Sequence, residues 1–303
     1  MSADTQSTLE NLEKILVNEQ GEFPLYKRYR ALFSLKGLGS KEAIQIIIKA
    51  TKKEKDSELF KHELAYCLGQ LQNPEAIALL EDLVRDEDEF IMVRHEAAEA
   101  LGAISDERSI QFLKTFIGGS CKELSETCYL AAKKIEYNKE TEIKHENLYG
   151  SVDPTPPANE ELNVKQLRDI LLDQNADLWE RYRSMFRLRD IASKEAVLAL
   201  CDALLQDKTS ALFRHEICFV FGELQDKLTA DALQKTLANT SEAPMVRHEA
   251  AEALGSIAES YVSSALKHYS EDPVAVVRES CIVALDMNEY QNSEEFQYAI
   301  IPN

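Results

Sequence analysis

The sequence predicts an all-α protein of eight helical hairpins, stacked as an α-α superhelix in two pseudo-symmetric halves. Three observations carry this expectation. Met92–Gly102, MVRHEAAEALG, recurs unchanged at Met245–Gly255, an offset of 153 residues (92 to 245). The same offset carries His62-Glu63 onto His215-Glu216, Tyr29-Arg30 onto Tyr182-Arg183, and Cys128 onto Cys281. A shorter period of 33 residues (62 to 95, 215 to 248) runs inside each half and extends to Tyr29 and Cys128, or Tyr182 and Cys281. A unit of that length cannot bury its apolar face alone and must stack on its neighbours.

The individual elements follow from spacing. STLENLEKILVNE at 7–19 places apolar residues at 9, 12, 15 and 16, a helical pattern. After the break at Gly21–Pro24, LYKRYRALFSLKGLG supplies the partner helix, and LRDILLDQ followed by LWERYRSMFRLRDIA replays the pair in the second half. The offset there drifts from 155 to 153, so the first half carries two extra residues in the turn and both helices stay intact. SKEAIQIIIKATKK and SKEAVLALCDALLQ open the next units, and LFKHELAYCLGQL and LFRHEICFVFGEL close them. Asn73-Pro74 marks the start of another first helix. No stretch alternates like a strand between hairpin signals.

Residues 138–163, NKETEIKHENLYGSVDPTPPANEELN, interrupt the array with Pro154, Pro156 and Pro157 and little apolar periodicity. We read them as a linker, mobile at least in part, between units at 1–137 and 164–303.

Composition narrows the functional classes. Hydrophobic content of 45% and charged content of 29% suit a water-soluble globular chain. No apolar run approaches a membrane span, and the N-terminus lacks a signal-peptide pattern, so a cytoplasmic protein is expected. The six cysteines lie singly, without a CxxC pair, and read as buried small hydrophobes. The net charge of −19 repels phosphate backbones and favours a cationic substrate or a basic protein over nucleic acid.

The chemistry concentrates in four of the six histidines. His62, His95, His215 and His248 share one repeat position, each followed by a glutamate: Glu63, Glu96, Glu216 and Glu249. The outer repeats place Tyr29, Cys128, Tyr182 and Cys281 there instead, so copying of the repeat alone does not account for the inner doublets. Stacked helices lie about 8–10 Å apart, close enough for side chains of neighbouring repeats to converge. Each half then offers two imidazoles and up to two carboxylates. Two histidines with one carboxylate is a donor set of non-haem Fe(II) centres, and two half-sites facing each other would make a two-metal centre. A catalytic zinc wants three ligands and a water, which leaves the doubling unexplained. HEAAE lacks the second histidine of the HExxH motif. Spacing leaves open which glutamate of each half ligates. His145-Glu146 lies off the 33-residue grid in the linker, and His268 has no partner doublet. Met92 and Met245 are expected to border the groove, and Arg94 and Arg247 to pair with nearby carboxylates.

The RHEAAEALG core resembles the short HEAT-type repeat. The ankyrin TPLH turn and the tetratricopeptide Trp-Leu-Gly-Tyr pattern are missing. With four His-Glu doublets in two symmetric pairs and a central linker, the whole chain resembles the deoxyhypusine hydroxylase family. That resemblance implies a di-iron monooxygenase using O2, hydroxylating the deoxyhypusine residue of translation initiation factor 5A to hypusine. It implies that one iron takes His62, His95 and Glu96, and the other His215, His248 and Glu249. Glu63 and Glu216 are then left for the substrate amines, with Gly69 and Gly222 near the same pocket, although both glutamates remain open as ligands. A monomer is expected. Two rivals stand beside this reading: a non-catalytic HEAT-repeat scaffold binding a basic protein, and a bilin lyase, which shares similar short repeats.

Overall fold

The computed structural model describes residues 3–141, 147–257 and 262–291. These residues form sixteen α-helices that pair into eight hairpins. In the first half they are α1 (Ala3–Val17) with α2 (Leu25–Leu38), and α3 (Lys41–Lys53) with α4 (Glu58–Gln70). Then follow α5 (Ile77–Arg85) with α6 (Ile91–Ile104), and α7 (Ser109–Lys114) with α8 (Lys122–Glu140). The second half repeats the order: α9 (Val164–Leu172) with α10 (Leu178–Ile191), and α11 (Lys194–Gln206) with α12 (Ala211–Leu224). It ends with α13 (Ala230–Ala238) and α14 (Pro244–Ile257), then α15 (Ser263–Tyr269) and α16 (Ala275–Gln291). No strand occurs among the described residues.

Local chemistry repeats with the fold. Ser40 and Ser193 cap α3 and α11, accepting the N–H groups of Ala43 and Ala196. Arg28, Arg94, Arg181 and Arg247 donate Nε to the carbonyls of Leu16, Val84, Leu171 and Leu237, at 2.9–3.1 Å. Each arginine begins near the histidine register and ties the C-terminal end of one helix to the next, satisfying a carbonyl the helix leaves open. Arg247 also pairs with Asp272 at 2.6 Å, as expected from sequence, whereas the bond drawn by Arg94 is to a backbone carbonyl.

Helices α4, α6 and α8 pack in series, as do α12, α14 and α16. Small residues set their spacing. A Cβ on Gly69 would lie 2.7 Å from the Ala100 Cα, and one on Gly102 would lie 2.9 Å from the Ala131 Cα. Gly255 meets Ala284 just as closely, while Gly222 is looser, with its nearest neighbour at 3.6 Å.

The two halves meet twice in related ways. At one seam α16 packs on α2 and α4; at the other α8 packs on α10 and α12. Ser57 Oγ donates to Glu279 at 2.6 Å across the first seam, and its counterpart Ser210 donates to Glu126 at 2.6 Å across the second. Arg30 adds a bidentate pair with Asp286.

The connecting segment packs against the helices where it is described. Its described part, 147–163, is fastened to both halves rather than hanging free. Thr155 and Ala158 are buried, and the Ala158 N–H donates to the Arg183 carbonyl at 2.8 Å. Residues His145 and Glu146 lie outside the described residues.

Candidate metal centre

Helices α4, α6, α12 and α14 bring the four doublets to one point. The His62 and His215 rings lie 6.2 Å apart between centroids. His62 lies 5.6 Å from His95 and 5.3 Å from His248, and His215 lies 5.3 Å from both His95 and His248. The histidines are therefore one cluster astride the two halves. All four are buried, His95 and His248 completely.

Their polar atoms lack ordinary partners. Both ring nitrogens of His62, His95 and His215, and Nε2 of His248, have no hydrogen bond. Buried polar groups are rarely left so, and each costs about 1–3 kcal/mol. Glu96 Oε2 comes within 3.1 Å of His62 Nε2, and Glu249 Oε2 within 3.4 Å of His215 Nε2, without hydrogen-bond alignment. Donor atoms of His62, His95 and Glu96 all fall within 4.8 Å of one another, and so do those of His62, His215 and His248. The first set joins imidazole nitrogen with carboxylate oxygen and fits a transition-metal ion of the Fe(II) type, while the second is three imidazoles and shares His62 with the first.

The electrostatics point the same way. Burial pushes the Glu96 carboxyl up to about 7 and the Glu99 carboxyl up to about 8. Burial, followed by the neighbouring His62, lowers His215 to about 4. Glu63 and Glu216 are raised well above the usual carboxylate range, first by burial and then by Glu252 and Glu99 respectively. The site thus concentrates glutamates whose charge the protein compensates only in part, an arrangement that cations complete.

A cavity of about 160 Å³ adjoins the histidines. Five pairs related by the 153-residue offset line it: His62 and His215, Glu63 and Glu216, Tyr66 and Phe219, Glu96 and Glu249, Glu99 and Glu252. Tyr66 and Phe219 face each other edge-on at 6.0 Å. The connecting segment contributes Ser151, Val152, Asp153 and Pro154.

Of the residues singled out in the sequence, the eight His and Glu members of the inner doublets gather here. Gly69 and Gly222 do not line the cavity, and their visible contacts are with the neighbouring helices. Met92 and Met245 are buried in the core rather than bordering the cavity, and His268 is exposed. The sequence reading missed Glu99 and Glu252, which line the cavity four residues beyond His95 and His248. Ser280 hydrogen-bonds Glu252 Oε1 at 3.1 Å and approaches His248 Nδ1 at 3.4 Å.

Fold and site together define a HEAT-repeat protein whose inner helices carry a paired His–Glu centre. A family model described as HEAT repeats matches residues 9–91, 54–124 and 197–286. Curated deoxyhypusine hydroxylases of mouse (Mus musculus) and of Drosophila melanogaster are 48% and 44% identical to this chain, covering 97% of it and 96% of each relative. A solved structure of human deoxyhypusine hydroxylase in complex with glycerol superposes with a TM-score of 0.89 at 46% identity, covering 95% of this chain and 99% of that one. The chain belongs to the deoxyhypusine hydroxylase family. No helix among the described residues is long and apolar enough to cross a membrane.

Proposed function

We propose that this chain is a cytoplasmic, monomeric deoxyhypusine monooxygenase holding two iron ions, its units 1–137 and 164–303 each supplying half of the centre. One iron takes His62, His95 and Glu96; the other takes His215, His248 and Glu249. The observation that carries the reading is the buried cluster of histidine nitrogens without hydrogen-bond partners, set among glutamates raised toward or above neutrality. When bound, the iron pair supplies the activation of O2 that lets a C–H bond become C–OH.

The chain's own residues bind and place the substrate. Deoxyhypusine carries a secondary and a primary amine, both cationic at neutral pH. Glu63 and Glu216 receive these amines, because a buried carboxylate recovers its charge when an ammonium pairs with it. Tyr66 and Phe219 flank the methylene chain between the amines and hold it against the centre. Gly69 lets α4 approach α6 closely behind this wall, and Gly222 holds the matching position on α12 with room to spare. The partner is translation initiation factor 5A in its deoxyhypusine form, drawn by a net charge of −19.

The test is incubation of iron-loaded protein with deoxyhypusine-bearing factor under isotopically labelled O2, followed by mass spectrometry. Gain of one labelled oxygen on the modified residue supports the reading. Tight binding of the factor with no oxygen gained supports the non-catalytic scaffold instead.

A further inference from the structure

The cavity is built on two rails. His62, Tyr66 and Gln70 follow one another at four-residue spacing on α4, and His215, Phe219 and Glu223 repeat the row on α12. At about 1.5 Å of rise per residue, Gln70 and Glu223 stand about 12 Å along their helices from the histidines. Both are spent on gripping the connecting segment. Gln70 Oε1 accepts the Val152 N–H at 2.8 Å, and Glu223 accepts the Ser151 hydroxyl. Arg189, almost wholly buried, holds Asp153 through two bonds of 2.8 and 2.7 Å, and Lys134 donates to the Asp153 carbonyl.

This strap breaks the two-fold symmetry of the cavity lining. Phe33 lines the cavity, but its counterpart Phe186 is fully buried, with the Arg189 guanidinium 4.8 Å from its ring. Half-buried Phe33 lines the cavity from the first half, and the segment from Ser151 to Pro154 lines it where the second half offers no counterpart of Phe33.

We propose that Ser151–Pro154 is the end wall of the substrate cavity and gauges the length of the cationic side chain it accepts, with Val152 as the gauge. A wall pinned from both halves cannot retreat to admit a longer chain, and proline stiffens its end. The inference rests on the reading of the site as a polyamine-type substrate cavity.

The experiment measures calorimetric affinities of three peptides for the full chain. Each peptide carries one lysine extended by a three-, four- or five-carbon aminoalkyl group. The parent binds the four-carbon peptide best. Val152→Ala shifts the five- to four-carbon affinity ratio upward by about tenfold, as expected for one methylene in a fitted pocket, and Val152→Leu shifts preference toward the three-carbon peptide. Both substitutions lie in a connecting segment outside the helices, and matched thermal unfolding of parent and variants confirms an intact fold. Unchanged ratios in both variants, with four-carbon binding retained, overturn the gauge. A parent that binds none of the three overturns the reading of the cavity, and this inference with it.

Discussion

The Ser57 hydroxyl donates to Glu279 in the opposite half at 2.6 Å while accepting the Phe60 N–H at 3.0 Å. One hydroxyl therefore starts the His62 helix and fixes it to α16. Ser210 does the same for the His215 helix through Phe213 and Glu126. The relative placement of the two half-sites depends on these paired contacts. Ser57→Ala and Ser210→Ala should each lower stability by about 1–2 kcal/mol, the range of a lost cap. Their effects should add, because the sites share no partner. Urea unfolding of the singles and the double checks this, and midpoints equal to the parent's would count against it.

Gly69→Ala should cost more than Gly222→Ala. The new methyl meets the Ala100 backbone at 2.7 Å in the first case, and its nearest neighbour lies at 3.6 Å in the second. Overpacking of this kind costs about 1–3 kcal/mol. Thermal unfolding that ranks the two variants in the reverse order would contradict the packing role given to Gly69.

Glu63→Ala and Glu216→Ala should weaken the deoxyhypusine-bearing substrate while leaving iron content near the parent's. Loss of a carboxylate paired with a partly desolvated ammonium costs on the order of 2–4 kcal/mol, or roughly 30- to 1,000-fold. Parent affinity should fall with salt, and less steeply in the variants. Titration and metal analysis on the same samples decide it. Iron lost in step with binding would move both residues into the coordination shell.

Metal uptake should release protons near pH 6. Glu96, raised to about 7, is protonated there in the metal-free protein and must ionise to ligate, whereas His215, lowered to about 4, is already neutral. The folding linkage has opposite signs for the two. The stability carried by protonated Glu96 is present below its ordinary 4.5 and is lost as pH rises through about 7. His215 destabilises the fold as pH falls from its ordinary 6.5 toward 4, because the unfolded chain takes up the proton first. Calorimetry in buffers of different ionisation enthalpy measures the release. Metal affinity that is flat between about pH 6 and 8 would contradict the assignment of Glu96.

The repeats made most of the fold legible in advance, because a fixed period constrains every helix at once. Hairpin number, helix order and the convergence of His62, His95, His215 and His248 all follow from it. Side-chain direction was less legible. Met92 lies three residues before His95, about 60° off its direction around the helix, and that rotation turns it into the core. Glu99 lies four residues after His95, about 40° off, and stays on the cavity face. The i,i+4 relation of Glu99 to His95 and of Glu252 to His248 is present in the sequence. Pairings across the seams, such as Ser57 with Glu279, carry no local signal. The attachment of residues 151–154 is not legible in the sequence, because Pro-rich, acidic composition describes a free chain and a held one equally well. Partners distant in sequence, among them Arg189, Gln70, Lys134 and Glu223, hold it.

The most direct test of the central claim is iron content per chain, measured on anaerobically prepared parent, His95→Ala and His145→Ala proteins. The account predicts about two irons in the parent, a clear loss in His95→Ala, because two imidazoles per half leave no spare donor, and no change in His145→Ala. A parent without iron, or equal iron in the two variants, would contradict it.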